Sequence, residues 1–391
     1  MAKKSSNKLT GQLTVALLAW YDRQAIELPW RNSSGRLADP YRVWLSEIML
    51  QQTRVTTVIE YYRRFLAAFP TVQALAAAPL NTVIKQWEGL GYYSRARNLH
   101  RAAQVVVNEY GGEFPANAAA LQALPGIGRY TAAAVASMAF NEPIAALDGN
   151  VMRILTRLYD YDGELNQPTT DKQLNEWAQA LLERQRPGDF NQALMDLGRT
   201  VCLPRNPTCA QCPVQKHCRA FKQQTQHLRP VKKRKAPLPT VRAAAALLRD
   251  AQDRILLIQR PPHGLLGGLW TLPGGTCETE ESYSDCLRRV LPAEFGITVK
   301  VLNELATPQQ TFTHFHLHLR AYDCAIVKGC FKIKDGRNFA WVAPDELARY
   351  SLSKVGRNIS GANELTQYSF GKADRAILDA LAQTQPRLFE E

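Results

Sequence analysis

LQALPGIGRYTAAAVASMAF, residues 121–140, decides the architecture of the first half of the chain. A short apolar segment runs into the turn Leu124-Pro125-Gly126-Ile127-Gly128, and an alanine-rich segment follows. Proline and glycine interrupt helical periodicity, so the string predicts two short helices joined by a hairpin. Gly126 and Gly128 admit backbone geometries closed to other residues and let amides approach a ligand, while the second helix adds its positive N-terminal end. That combination makes a cradle for phosphate. An ordinary αα-hairpin is the alternative, and the specificity of LPGIG followed by Tyr-Thr-Ala favours the cradle.

On either side of this hairpin, from residue 9 to about 225, amphipathic segments follow one another with short Gly, Pro and Asn breaks, among them TVIEYYRRFLAAF and SRARNLHRAAQVVVNEY. This half is expected to be all-α. One of its segments, VWLSEIMLQQT at 43–53, is apolar almost all the way round. At ~100° per residue Val43, Trp44 and Leu50 flank Glu47, while Leu45, Ile48 and Met49 take the opposite side. Glu47 is therefore neutralised by partners or held protonated, because ionising it unpaired in low dielectric is costly. A buried Glu capping a backbone amide is the other reading.

HLRPVKKRKAPLPT then crowds Arg229, Lys232, Lys233, Arg234 and Lys235 between prolines, a composition suited to neither helix nor strand. The expected division is a helical domain over 1–228, a linker over 229–238 and an α+β domain over 239–391. In the last part short alternating strands (TVRAAAALLRD, RILLIQR, TFTHFHLHLRAYDCAIV) surround one helix at ESYSDCLRRVLPAEF. A chain of 391 residues, 46% hydrophobic, can bury a core in each.

Forty-eight Lys and Arg against 35 Asp and Glu give +13, and a pI near 9.4. That balance favours a polyanionic partner such as nucleic acid. The basic start MAKKSSNK lacks the ~7–15-residue apolar stretch of a signal peptide, and no run approaches the ~20 apolar residues of a membrane span. A soluble, intracellular protein is expected.

Eight cysteines in such a chain argue against a disulfide framework. Four fall in CLPRNPTCAQCPVQKHC: Cys202, Cys209, Cys212 and Cys218, spaced C-x6-C-x2-C-x5-C. Four thiolates in so compact a run suit a [4Fe–4S] cluster or a tetrahedral zinc. Zinc sites usually show two C-x2-C knuckles and this run has one, which favours iron–sulfur. Asp148, in LDGNV twenty residues after Gly128, stands in a common turn string and by itself reads as a loop residue.

LPGIG, Asp148 beyond it and the cysteine run, in that order, resemble the helix-hairpin-helix DNA glycosylases related to endonuclease III. Bifunctional members carry a Lys two residues past the last hairpin Gly, where it attacks the sugar. This chain has Tyr130, which cannot form a Schiff base. LPWR, DPYRVWLSEIMLQQT, WEGLGYYSRARNLH, LDGNVMR and FNQALMDLG extend the resemblance to the adenine-excising branch. Met152 stands where some relatives have Lys, which further disfavours strand cleavage.

The resemblance implies hydrolysis of the N-glycosidic bond of adenine mispaired with 8-oxoguanine or guanine in duplex DNA. It implies Glu47 as general acid, Asp148 as the carboxylate that stabilises the oxocarbenium ion, and Tyr130 and Asn150 beside the sugar and water. Trp30, Arg31 and Gln192 match the adenine pocket. Gln52, Leu90 and Tyr92 match residues that enter the stack when the base flips, though by themselves they read equally as packing residues. It further implies one [4Fe–4S] cluster, a monomer, and a cytoplasmic or, in a bacterium, nucleoid location. The rivals are an endonuclease III-like pyrimidine glycosylase/lyase and a non-catalytic DNA-binding scaffold; the presence of both Glu47 and Asp148 argues against the latter.

In the second half, WTLPGGTCETEESYSDCLRRVLPAEFGI resembles a Nudix box. Gly274, Glu280 and Arg288 fit, but Arg289, Pro292 and Ala293 stand where three metal-binding acids belong. A reader domain for 8-oxoguanine is implied, with Phe312, Thr313 and His314 in place of the family's Phe-Ser-His contact. Alternate His in HFHLHL on a solvent face of a strand is the plainer alternative.

Overall fold

A computed structural model describes residues 2–31, 37–233, 236–261, 269–307, 309–343 and 346. Arg234 and Lys235 of the expected linker and 347–391 of the expected C-terminal domain lie outside these residues. Contacts divide the chain into two units: Met1–Ala78 with Arg97–Lys235, and Pro79–Ala96 with Ala236–Glu391. The start of the expected linker is docked on the first unit, where Leu165 N donates to Val231 O at 3.0 Å and Glu164 bridges Val231.

Thirteen α-helices are seen among the described residues. Those before the linker are α1 (Ala2–Gln24), α2 (Pro40–Leu50), α3 (Val55–Ala68), α4 (Val72–Ala77), α5 (Leu80–Gln86), α6 (Ser94–Tyr110), α7 (Ala118–Gln122), α8 (Arg129–Phe140), α9 (Gly149–Leu158), α10 (Pro168–Leu181), α11 (Pro187–Thr200) and α12 (Arg219–Lys222). The helical reading of this half is met. Leu17, Tyr21, Leu155, Leu174, Phe190 and Leu197 bring α1, α9, α10 and α11 together around one core, and Cys202, Cys212 and Cys218 pack against it.

α2 starts on Asp39, whose carboxylate accepts from Arg42 N at 3.0 Å, with Pro40 at the first helical position. Tyr41 and every residue from Val43 to Met49 are buried, as the all-round apolar pattern requires. The helix ends at Leu50, short of the 43–53 span read from the pattern. Gln52 adopts φ 58°, outside the helical region, so it belongs to the turn that follows and not to the helix that carries Glu47.

At the hairpin between α7 and α8, Gly126 has φ +76° and a Cβ there would meet Asn98 Cβ at 2.6 Å, so glycine is required on two grounds. Gly128 differs from the expectation. Its φ of −85° is open to any residue, and it serves as N-cap of α8 with space around it.

In the second unit, β1 (Thr240–Leu248), β2 (Ile255–Gln259), β3 (Trp270–Thr271), β4 (Gly274–Thr276), α13 (Tyr283–Phe295), β5 (Thr298–Ala306), β6 (Gln309–Thr311), β7 (His316–Lys328) and β8 (Phe339–Val342) realise the expected α+β pattern. One sheet runs β4-β1-β7-β5 with β6 on β7, and a second runs β3-β2-β8. β1 and β7 are parallel, Thr240 opposite His316 through Leu248 opposite Cys324. The period of two is explicit in β1: Ala244, Ala246 and Leu248 pack with Leu287, Leu291 and Phe295 of α13, whereas Ala245 and Leu247 join Leu257 and Leu319.

Phe190 is fully buried in the core of the first unit. Phe190→Ala is expected to destabilise that unit by about 3–5 kcal/mol. Denaturant unfolding followed by helical circular dichroism should show the lower midpoint with an unchanged slope; an unchanged midpoint would contradict this packing.

Candidate active site

A cavity of about 580 Å³ opens in the first unit, lined by Trp30, Arg31, Glu47, Gln52, Tyr130, Asp148, Asn150, Gln192 and Asp196 among others. The segment after α1, the last turn of α2, the start of α8, the start of α9 and α11 each contribute. Eight of these nine were singled out in the sequence; Asp196 was not.

Glu47 is 5% exposed. Tyr130 donates its hydroxyl to Glu47 Oε2 at 2.8 Å. Burial pushes the carboxyl up to about 7; the Tyr130 hydrogen bond pulls it down, the nearby Asp148 charge pushes it up, and the Arg31 charge pulls it down. Burial wins by a margin equivalent to about 3 kcal/mol. Glu47 also sits in the C-terminal turn of α2, where the helix dipole presents negative charge and opposes ionisation. Burial and the Glu47 charge hold the Tyr130 phenol well above its ordinary range, so it stays a donor.

Asp148 has the opposite setting. It is the N-cap of α9, and its Oδ1 accepts from Asn150 N at 2.9 Å and Val151 N at 2.7 Å. Its Oδ2 accepts from Asn150 Nδ2 at 2.7 Å. Three N–H donors and the positive end of a helix dipole suit a negative charge. Asp148 itself lies outside the helix, but Gly149, Asn150 and Val151 of LDGNV form the first turn of α9, so the string starts a helix where a loop was read.

Arg31 does not reach freely into the cavity. Its Nη1 and Nη2 donate to the two carboxylate oxygens of Asp196 at 2.6 and 2.9 Å, and Nη1 also meets Ile26 O at 3.1 Å. Trp30 is buried edge-on against Tyr62, with ring centroids 5.2 Å apart. Gln192 lies four residues before Asp196 on α11, which brings both to one face. That spacing, an acid four residues after a cavity amide in an apolar helix, was the signal for Asp196.

Asn150 links this cavity to the cysteine loop. Arg153 donates Nη2 to Asn150 Oδ1 at 2.9 Å and to Gly198 O at 2.7 Å, and its Nε donates to Cys202 O at 2.8 Å. Arg157 reaches Cys202 Sγ at 3.3 Å and the carbonyls of Leu203 and Pro204. Neither arginine was anticipated from the sequence. Cys202, Cys212 and Cys218 pack against the core of the first unit, and all four loop cysteines are free thiols. Four thiols carried by one short loop are the donor set that a [4Fe–4S] cluster requires. Burial pushes the Cys212 thiol up to about 12, so cluster binding there must displace a proton.

Gly126 and Gly128 are exposed at the hairpin. Gln52 is exposed, and its left-handed backbone is unusual for a residue with a side chain.

In the second unit Tyr92 shares that property, with φ 50° and 46% exposure, while Leu90 is buried. Phe312 and Phe315 stack 4.9 Å apart beneath a tight turn, which presents Thr313 and His314 to solvent. The hydroxyls of Tyr92 and Thr313 lie 3.3 Å apart. At the Nudix-like helix, Arg289 grips Glu281 through Nε and Nη2 at 2.7 and 2.8 Å. A guanidinium thus already neutralises the carboxylate that comes near Cys277 and Cys286.

Comparison with known proteins places these features. Residues 45–180 match the HhH-GPD superfamily of base excision DNA repair proteins, and residues 244–362 match the NUDIX domain. The chain is 37% identical to the adenine DNA glycosylase of Mus musculus, over 79% of this chain and 70% of that one. It is 38% identical to the adenine DNA glycosylase of Homo sapiens, over 80% of this chain and 66% of that one. Among solved structures, a thermostable thymine-DNA glycosylase matches 56% of this chain and 99% of its own, with a TM-score of 0.51 and 31% identity.

The Tyr130–Glu47 bond favours the charged carboxylate, so Tyr130→Phe is expected to raise the Glu47 midpoint above about 7, by about one pH unit. A ¹³C-carboxyl NMR titration reads it, and a lower or unchanged midpoint would contradict the geometry.

Proposed function

The chain belongs to the adenine DNA glycosylases, enzymes of base excision repair, and on that premise we propose how its own residues release adenine from DNA. The single observation that carries the proposal is Glu47, buried and held by Tyr130 in a cavity that Asp148 also lines. Departure of adenine from deoxyribose leaves electrons on the base and positive charge on the sugar. Glu47, protonated up to about pH 7, gives its proton to N7 of the flipped adenine. Asp148, fixed by three N–H donors, offers negative charge to the oxocarbenium ion. Tyr130 and Asn150 orient the sugar and the attacking water.

Trp30 walls the base, and Arg31 and Gln192 offer polar groups to its edge. Exposed backbone at Gly126 and Gly128 holds phosphate; Gln52 in the first unit and, separately, the exposed Tyr92 in the second are side chains that enter the stack when a base flips, whereas Leu90 is buried and could do so only by leaving its packed position. The unusual φ values at Gln52 and Tyr92 support this use, because strained backbone concentrates at working sites. The substrate is duplex DNA with adenine opposite 8-oxoguanine or guanine, and Phe312-Thr313-His314 reads the oxidised guanine from an exposed turn. Cys202, Cys209, Cys212 and Cys218 hold one [4Fe–4S] cluster, which fixes the loop; the hydrolysis itself consumes no electrons. One chain holds the complete cavity, so it acts as a monomer, on chromosomal DNA in the cytoplasm or nucleoid. Tyr130 at the lyase lysine's position makes the enzyme monofunctional, against an endonuclease III-like lyase.

Glu47→Gln is expected to abolish single-turnover release of adenine from an 8-oxoguanine:adenine duplex, by at least ~10²–10⁴-fold as for loss of a general acid, while duplex binding persists. The wild-type preparation should contain iron and leave the strand uncut until base is added. Full activity in Glu47→Gln, one zinc in place of iron, or efficient borohydride trapping of enzyme on DNA would each overturn the corresponding part.

A further inference from the structure

We propose that Asp196 is a positioning residue of this site: its carboxylate fixes the Arg31 guanidinium and cancels its charge, so that Glu47 keeps the proton that catalysis uses. The inference rests on the reading of Glu47 as the acid and adds a residue to it.

Asp196 is 1% exposed, deep on α11. Its Oδ2 accepts from Arg31 Nη1 at 2.6 Å and Ile26 N at 3.3 Å; its Oδ1 accepts from Arg31 Nη2 at 2.9 Å and Arg199 Nη2 at 3.1 Å. The two-pronged contact fixes the plane of the guanidinium as a single ammonium contact would not. It also ties the segment after α1 to α11, across 165 residues of sequence.

A buried pair of this kind contributes little net stability compared with apolar packing, so stability is a weak account of it. An arginine in the wall of the base pocket is useful for holding an adenine edge, yet a free cation there favours the ionised form of any carboxyl beside it. The groups that face Glu47 are Tyr130 from α8, Asp148 at the start of α9 and Arg31 from the segment after α1, with Asp196 and Arg199 of α11 behind Arg31. Of these, Arg31 and the Tyr130 hydrogen bond pull the Glu47 carboxyl towards ionisation. Asp196 holds the plane of the Arg31 guanidinium while opposing its charge. Asp196→Asn keeps the volume and removes the charge, which frees the guanidinium's field to act on Glu47.

The test uses the full-length enzyme with its cluster and an 8-oxoguanine:adenine duplex, with single-turnover adenine release measured at saturating enzyme between about pH 5 and 9. Asp196→Asn is expected to move the alkaline fall of the rate down by about one pH unit, with about tenfold less activity above it and little loss on the acid plateau. Arg31→Met, which removes the cation and leaves the acid, moves the fall upward. It also carries the test if Asp196→Asn does not fold. The double variant, with both charges gone, returns the fall close to the wild-type position. An unmoved fall in either single variant, or a loss uniform across pH in Asp196→Asn, overturns the proposal and leaves Asp196 a packing residue. A wild-type enzyme without any alkaline fall overturns the reading of Glu47 instead, and this inference with it.

Discussion

Glu47 is held neutral by where α2 sits, and the rest of the active site is arranged around that fact. A carboxyl flanked on its helix by Val43 and Trp44, in a helix whose residues from Val43 to Met49 are all buried, and placed at the negative end of that helix, keeps its proton to about pH 7. Without that displacement from the ordinary carboxylate range, only about one molecule in several hundred would carry the acid form at neutral pH. The apolar residues of α2 therefore belong to the core and, on the proposal that Glu47 is the acid, also serve catalysis. The Tyr130 hydroxyl supplies the one polar contact that a buried carboxyl needs, at the expense of part of the displacement.

The second carboxylate is placed by the same physics with the sign reversed. Asp148 caps the N-terminus of α9, where backbone N–H groups and the dipole favour negative charge. One acid at the C-terminal turn of a helix and one at an N-cap thus receive opposite environments within a single cavity, which divides proton donor from charge stabiliser. Asn150 and Arg153 continue the line of hydrogen bonds from Asp148 to the carbonyl of Cys202, so the cysteine loop and the sugar-facing acid are one connected body. Disturbance of that loop has a direct route to the carboxylate.

Much of this was legible in the chain. The all-round apolar surface of VWLSEIMLQQT announced a buried acid, and LPGIG announced a hairpin. What escaped was whatever depends on two distant segments meeting. Arg31 was matched to the adenine pocket without its carboxylate partner because Asp196 lies 165 residues away, and their pairing exists only once α1 and α11 share a core. Arg153 and Arg157 drew no reading from the sequence; both are buried against loop carbonyls that no local pattern reveals. Gly128 was assigned a special backbone on account of its type, but its φ is ordinary and its use is as an exposed cap. Gln52 was assigned to the helix because periodicity continues for two residues after the hydrogen bonds stop.

The central claim is that adenine leaves on a proton held by a buried Glu47. The most direct measurement is the pH dependence of single-turnover adenine release by the wild-type enzyme, with substrate binding saturated at every pH. The account predicts a rate that is level at low pH and falls tenfold per pH unit above a midpoint near about 7, because only the protonated form can act. A rate that falls instead from about pH 4.5, or that stays level through pH 9, would contradict it.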